Sequence, residues 1–395
     1  MYISKLASGS KENILQVLEN RRILLAAQGM DIINLSVGTP DRPPAAHVMQ
    51  AIAEASKNPD NYKYTLIDPP ALTNAVQNWY KTRYGVDIAE DETLSIYGSQ
   101  EGFAHIFHAL CDIGDTVIAG APGYPIFFYG PRMAGADVYR VPLLPENGYL
   151  VDFDSIPKDV AKKARVIIAS YPSNPLGAIA GMDFYERLIE FAQKYDIAVI
   201  HDNAYSEFVH DGPPGGSFLA IPGAKDVGIE FNSLSKSYNL TGLRISFALG
   251  SRRIIEAFKK LRTNIDYGLC ALDHAAAVTA LTGPQDIVMQ NREAYRNRRN
   301  AFCAALSNNG WDAPVTPASM FTWFPVPVKG KSSEEFCVDL LEKAGVICVP
   351  GSSFGEEGEG YIRFALTQTP ERLEEAANRI GNYLKEYHEQ ASLRY

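Results

Sequence analysis

The sequence predicts an α/β protein: a mainly parallel sheet with helices on both faces, joined to a smaller α+β unit. Three observations carry this. Short apolar runs alternate with segments of helical period from about residue 45 to about residue 275, the pattern of strands linked by crossover helices. Turn residues and polar groups collect just past the apolar runs, where open α/β sheets bind ligands. Beyond about residue 275 the texture changes to aromatic, strand-like stretches mixed with helices. At 395 residues the chain suits two domains. The expected division is an N-terminal arm over 1–45 that joins the small domain, a large domain over 46–285 and a small C-terminal domain over 286–395.

The elements follow in order. Residues 10–28 read as an amphipathic helix, with Ser10 as candidate N-cap and Ile14, Leu15, Leu18 and Leu25 as its apolar stripe. Ile32 to Leu35 is a short strand that enters a turn at Gly38, where the backbone is open to close approach by a ligand, or the glycine simply serves the turn. A helix over 45–56 is followed by Tyr62-Lys63-Tyr64-Thr65 and Asp68-Pro69-Pro70. The prolines open a helix striped by Leu72, Ala75, Val76, Trp79 and Tyr80. Leu94 to Tyr97 is a strand, Gly98-Ser99-Gln100-Glu101-Gly102 a glycine turn, and Phe103 to Leu110 a second striped helix. A turn of this kind leads into a helix N-terminus and can hold an anion on Ser99 and Gln100, although many such turns bind nothing.

Strands then recur at 116–119, 138–141, 165–170, 197–200 and 227–231, with a helix over 182–195 and a further strand at 244–249 pairing with the one before it. The polar groups just past them are Tyr124, Asn174, Asp202 with Tyr205, and Ser233 with Lys236. Topology would bring these strand ends onto one rim. In the smaller unit, a helix with a basic face at 292–299 leads to the aromatic segment 321–327, a helix over 333–344, a strand at 346–349, a turn at 350–355, a strand at 361–366 and a helix over 370–387. Arg363 lies within that last apolar strand and requires an anionic partner, either a structural glutamate or a ligand.

Composition excludes several classes of function. A net charge of −9 and a pI near 5.4 leave no basic face for nucleic acid or an anionic membrane. The basic clusters at 252–262 and 292–299 read as solvated helix faces. Five scattered cysteines form no CxxC, and His105 and His108 lack the HExxH order, so reduced thiols and no metal site are expected. No apolar run approaches the roughly 20 residues needed to span a bilayer, and no signal segment is visible. A cytoplasmic protein is the expectation.

Lys236 is the residue with most chemistry to offer. It stands just past a strand among neutral hydroxyls, with Arg244 eight residues on. Desolvation and a second cation both depress an amine's pKa and make it a nucleophile, as a Schiff-base lysine requires. A solvated surface lysine is the competing reading.

Five ordered motifs decide between them: Ser99-Gln100, Asn174-Pro175-x-Gly177, Asp202-x-x-Tyr205, Ser233-x-x-Lys236 with Arg244, and Tyr361-Ile362-Arg363-Phe364. On these the chain resembles the class I/II, fold-type I pyridoxal-phosphate aminotransferases over nearly its whole length. The nearest likeness is to the branch of LL-diaminopimelate and aspartate- or alanine-type transaminases. The resemblance implies pyridoxal 5'-phosphate as cofactor, bound covalently by Lys236, which also moves the substrate's α-proton. It implies Asp202 on the pyridine nitrogen, Tyr205 and Asn174 on the phenolic oxygen, and Tyr124 against the ring. Ser99, Gln100, Ser233, Ser235 and Arg244 would hold the phosphate, and Tyr64 would reach the phosphate of a neighbouring subunit in a homodimer. Arg363 and the Gly38 N–H would bind the substrate carboxylate, with Asn174 beside them. The implied activity is ping-pong amino transfer between an L-amino acid and a 2-oxo acid. A β-lyase acting on cysteine conjugates and a non-catalytic sensor are the alternatives. Leu176, Ser246 and Asp68-Pro69-Pro70 depart from the family pattern near the phosphate region and the dimer-facing loop.

Overall fold

The computed structural model describes residues 2–8 and 14–392; the candidate N-cap Ser10 lies outside them. Among the described residues, twelve strands occur in chain order: β1 (Ile33–Asn34), β2 (Thr93–Ile96), β3 (Thr116–Ala121), β4 (Asp137–Pro142), β5 (Ala164–Ser170), β6 (Ala198–Asp202), β7 (Gly228–Ser233), β8 (Ser246–Gly250), β9 (Phe321–Pro325), β10 (Val346–Ile347), β11 (Val349–Pro350) and β12 (Tyr361–Ala365). Seven of them form one sheet in the order β2-β8-β7-β6-β5-β3-β4. All its pairings are parallel except those of β8, which runs against both β7 and β2. The carboxyl ends of β2, β3, β5, β6 and β7 therefore share one rim with the start of β8.

Side-chain alternation divides the sheet between two cores. In β5, Ile167 and Ala169 join the core that includes the helices Pro70–Tyr84, Met182–Tyr195 and Ala271–Thr282, whereas Val166 and Ile168 join the core that includes Ser99–His105, Ile126–Met133 and Arg252–Arg262. Such strands are covered on both faces and read as continuous apolar runs. In the β7 stretch, Val227, Ile229 and Phe231 alternate with Gly228 and Glu230, a pattern that predicts one solvated face, and the strand departs from it for this reason. It begins at Gly228, with Val227 ending a short helix, and all six of its residues are buried.

Its one charged residue, Glu230, is fully buried yet fully partnered. The carboxylate accepts from Tyr80 Oη at 2.9 Å, Ser217 Oγ at 2.8 Å and the Phe218 N–H at 2.8 Å, and lies 2.9 Å from His201 Nδ1. His201 Nε2 is in turn 3.1 Å from the Tyr185 hydroxyl.

The remaining strands belong to the smaller unit. β11, β12 and β9 form an antiparallel sheet, and β1 pairs with β10 in parallel, which stitches the N-terminal segment to the C-terminal unit. A third core contains Leu18, Ile33 and Leu35 together with residues from Tyr295 to Leu384. The helix Ile14–Ala27 buries only Leu18 fully, while Ile23 and Leu24 are exposed. Three expected elements break: the helix expected over 103–110 divides at Ile106 into Ser99–His105 and Phe107–Leu110, a π turn, Leu340–Ala344, ends the helix over 333–344, and Cys348 separates β10 from β11.

The basic clusters are not simply solvated. Arg262, Arg298 and Arg299 are buried, and Arg298 forks onto both oxygens of Asp41 at 2.7 Å each, tying the long helix Asp286–Asn308 to the segment after Gly38. Charge counts along a helix do not show which face turns inward. Among the described residues, no helix is long and apolar enough to cross a membrane.

Glu230→Ala would strand four buried polar partners at once. It should destabilise the apoprotein by about 3–5 kcal/mol, read from the midpoint of urea unfolding at unchanged m value.

Candidate active site

The rim of the large sheet opens into a cavity of ≈ 1120 Å³, lined among others by Gly38, Ser99, Gln100, Tyr124, Asn174, Asp202, Tyr205, Ser233, Ser235, Lys236, Arg244 and Arg363. Eleven strand-end and loop positions thus meet Arg363 of the small unit in one space. Its volume is at the upper end for small-molecule sites, with room for a cofactor and a substrate side by side.

Each side chain is held by its local fold. Ser233 ends β7 and caps the helix Leu234–Ser237, its Oγ accepting the Ser235 N–H at 3.2 Å. That turn aims Lys236 inward, and Nζ donates to the Gly38 carbonyl at 2.6 Å. Burial, then the charges of Arg363 and Arg244, bring its pKa down to about 8. The lysine is therefore not the solvated one that the stretch alone allowed.

Asp202 ends β6. Burial raises its pKa to about 6, and one oxygen, Oδ1, is buried without a partner; the other faces Ser170 Oγ at 3.5 Å. A buried carboxylate oxygen left unpaired is costly and calls for a donor from outside the chain.

Arg363 answers the question its sequence position posed. It is buried, and among the described residues no carboxylate pairs with it. Nη1 donates to Asn174 Oδ1 at 3.0 Å and Nη2 to the Ser36 carbonyl at 2.8 Å, while Nε has no partner. The guanidinium lies 4.1 Å from the Phe321 ring centre and 4.8 Å from that of Phe354. Desolvation pulls its pKa down to about 10. Two aromatic faces and neutral acceptors fix a planar fork with its charge uncompensated, an arrangement that selects a carboxylate.

The turn expected to hold an anion is built around Gly98, whose φ of +85° opens the helix Ser99–His105. A Cβ at residue 98 would collide with the Arg244 guanidinium, so this arginine lies against the turn. Tyr124 donates to Gln100 Oε1 at 2.9 Å across the cavity. Tyr205 packs its ring on Phe321 at 5.8 Å between centres. A Cβ at residue 38 would meet the Phe321 ring at 2.5 Å, so the glycine lets this turn pack against that ring at the cavity wall. Tyr64 alone among the predicted residues does not line this cavity; it is exposed, with its ring 4.8 Å from that of Tyr267.

Sequence reasoning missed Leu15, Thr39, Tyr97, Phe321, Val349, Ser353 and Phe354 as lining residues. Phe321 and Phe354 reach the site only through tertiary packing; the aromatic run 321–327 was the one visible signal for Phe321, and Phe354, in the turn 350–355, had none. Glu101, His105 and Asp266 bring ligand-type atoms within 4.8 Å of one another. Arg262 already serves that cluster, 2.9 Å from Asp266 and 3.6 Å from Glu101.

Residues 30–380 match the family model for class I and II aminotransferases. The chain is 41% identical over 359 residues to an LL-diaminopimelate aminotransferase of Dehalococcoides mccartyi, covering 90% of this chain and 92% of the relative. It is 42% identical over 359 residues to the protein of the same name from Moorella thermoacetica, with the same coverage. Among solved structures, substrate-bound BacF from Bacillus subtilis superposes with a TM-score of 0.93 at 33% identity, covering 97% of this chain and 98% of that one.

The depressed lysine pKa carries a pH signature. Between the folded value of about 8 and the ordinary 10.5, the unfolded chain holds a proton that the folded chain lacks, so stability rises with pH in that window. Against a Lys236→Met apoprotein, which lacks the titration, wild-type apoprotein should gain about 1.4 kcal/mol per pH unit above pH 8 in paired denaturation curves.

Proposed function

The chain belongs to the class I and II aminotransferase family, with the fold-type I architecture and transamination between an L-amino acid and a 2-oxo acid as its activity, and we propose that the residues gathered at the sheet rim carry that reaction with pyridoxal 5'-phosphate. The observation that carries this reading is the unpartnered Asp202 Oδ1 facing the same cavity as a desolvated Lys236 and an uncompensated Arg363. One orphaned acceptor, one nucleophilic amine and one bare cation fit the ring nitrogen, the aldehyde and the substrate carboxylate respectively. When bound, the cofactor supplies a carbonyl carbon for amines and a conjugated ring that withdraws electrons from the substrate's α-carbon.

The protein's part is binding, orientation and proton movement. Ser99, Gln100, Ser233, Ser235 and Arg244 would cradle the phosphate dianion, neutralising part of the positive potential that lowers the Lys236 pKa. Asp202 would keep a proton on the pyridine nitrogen, a role its burial strengthens because a charge pair in low dielectric is screened little. Tyr205 and Asn174 would serve the phenolic oxygen, and Tyr124 the ring face. Arg363 would hold the amino acid by its carboxylate, fixing the α-hydrogen toward Lys236. Once freed by the incoming amine, Lys236 Nζ would take the proton from the α-carbon.

Tyr64, outside this cavity, is assigned to the phosphate site of a second copy, which makes a homodimer the active unit. Exposed Leu66, Ile67 and Tyr267 beside it support that reading. The third core, which takes in Leu18, Ile33 and Leu35, supports an arm over 1–45 joined to a small domain over 286–395, with 46–285 as the cofactor-binding domain. The curated relatives' shared name puts LL-diaminopimelate first among substrates to test; none of those names supports the β-lyase alternative.

Holoenzyme titrated with a panel of amino acids should lose its visible absorbance band to the amine form of the cofactor and recover it with a 2-oxo acid. Protein that stays colourless with added cofactor would sink the reading, as would pyruvate and ammonia released without an acceptor. Lys236→Ala should abolish the half-reaction. Arg363→Ala should raise the half-saturating amino acid concentration roughly a hundredfold, about 3 kcal/mol of carboxylate binding.

A further inference from the structure

The loop Asn264 to Gly268 takes no part in the cavity, yet it is tied to it. Gly268 donates its N–H to the Thr65 carbonyl at 2.7 Å, which sets Tyr267 against Tyr64. The Gly268 carbonyl accepts from the Tyr97 hydroxyl at 2.7 Å, and Tyr97 directly precedes the glycine of the phosphate turn. The Tyr97 N–H donates to Glu101 Oε2 at 3.1 Å, inside the helix that the turn opens.

The other end of the Tyr64 segment is fastened to the same strand. Asp68 accepts from the Ser95 N–H at 2.8 Å and from the Ser95 hydroxyl. Asp68, which stands where the sequence departs from the family pattern, is thus an anchor. Buried Arg262 completes the frame. It donates to the Ser95 carbonyl and to Asp266 at 2.9 Å, and its guanidinium stands 5.8 Å from the Tyr97 ring centre. The arm bearing Tyr64 and the turn that holds phosphate therefore hang from one strand end, residues 95–98.

We propose that Tyr97 and Arg262 are positioning residues that lock the Tyr64–Tyr267 pair to the phosphate turn of their own chain, so that each subunit's turn sets the arm that completes its neighbour's phosphate site. The proposal rests on the assignment of Tyr64 to a second copy. Affinity for the cofactor then depends on hydroxyl and backbone contacts that never meet the phosphate, because a tyrosine donor displaced by a fraction of an ångström loses a charge-assisted hydrogen bond.

The test is titration of apoprotein with pyridoxal 5'-phosphate, followed by absorbance, with the dimer checked by gel filtration. Tyr64→Phe should raise the dissociation constant roughly tenfold. Tyr97→Phe, which deletes only the hydroxyl on Gly268, should raise it roughly three- to tenfold. Gly268→Ala should do likewise by another route, since its methyl would stand 2.7 Å from the Thr65 carbonyl. It also serves if Tyr97→Phe fails to fold. The Tyr64→Phe/Tyr97→Phe double variant should bind no more weakly than Tyr64→Phe alone, the non-additivity of residues acting through one another. A lower Tm with unchanged cofactor affinity in Tyr97→Phe and Gly268→Ala, or additive losses in the double variant, overturns the proposal. An unchanged constant in Tyr64→Phe overturns the underlying assignment of Tyr64, and the proposal with it.

Discussion

Three cations, Lys236, Arg244 and Arg363, face one cavity with Asp202 as the carboxylate beside them, since Glu101, which also lines it, stands 3.6 Å from Arg262. That imbalance is the constraint on which the site depends. Like charges held together in a partly desolvated space raise each other's cost, and here burial first and those charges second depress the pKa of the one that can release a proton. A folded chain tolerates the arrangement only if its scaffold leaves the groups no way to relax. A ligand that brings a phosphate dianion and a carboxylate converts the same imbalance into binding energy, and the positive field draws such ligands in.

The scaffold supplies that rigidity through buried polar pairs rather than apolar packing alone. His201 and Glu230 face each other across β6 and β7 one residue before Asp202 and three before Ser233. Their hydrogen bonds to Tyr80, Tyr185 and Ser217 fix the pair of strands whose ends carry the aspartate and the lysine. Arg298 on Asp41 does the same for the segment that presents the Gly38 carbonyl to Lys236. Removing either partner of such a pair costs more than the pair contributes, because the remaining charge is left buried. Catalytic geometry and fold stability are therefore maintained by the same residues.

Much of this was legible in the sequence, and the reason is periodicity. Strand ends could be located from apolar runs that stop at Ser170, Asp202 and Ser233, and a parallel sheet then places those ends on one rim whatever the details of packing. β8 was recognised as a partner of β7, and its antiparallel direction is what returns Arg244 to the same rim. Tertiary closure was not legible. Nothing in the pattern of 252–262 or 292–299 says that Arg262, Arg298 and Arg299 turn inward, because a helix face is chosen by its neighbours. Glu230 looked like the polar half of an alternating strand, and its burial follows from four partners scattered from Tyr80 to Phe218.

The same contrast separates the two ends of the substrate. At the α-carbon, the work requires formal charges and a nucleophile, residue types rare enough at strand ends to stand out. Around them the cavity wall is made of Leu15, Thr39, Tyr97, Phe321, Val349, Ser353 and Phe354, drawn from the arm, the large sheet and the small unit. These are ordinary residues whose only distinction is where the fold delivers them. Among the described residues of the cavity, the proposed reading gives Lys236, Arg244 and Arg363 tasks at the cofactor carbonyl, the phosphate and the α-carboxylate. Under that reading, a side chain entering this space meets mainly aromatic, aliphatic and hydroxyl groups of this chain. Its recognition depends on shape and on how the arm and small unit sit against the rim.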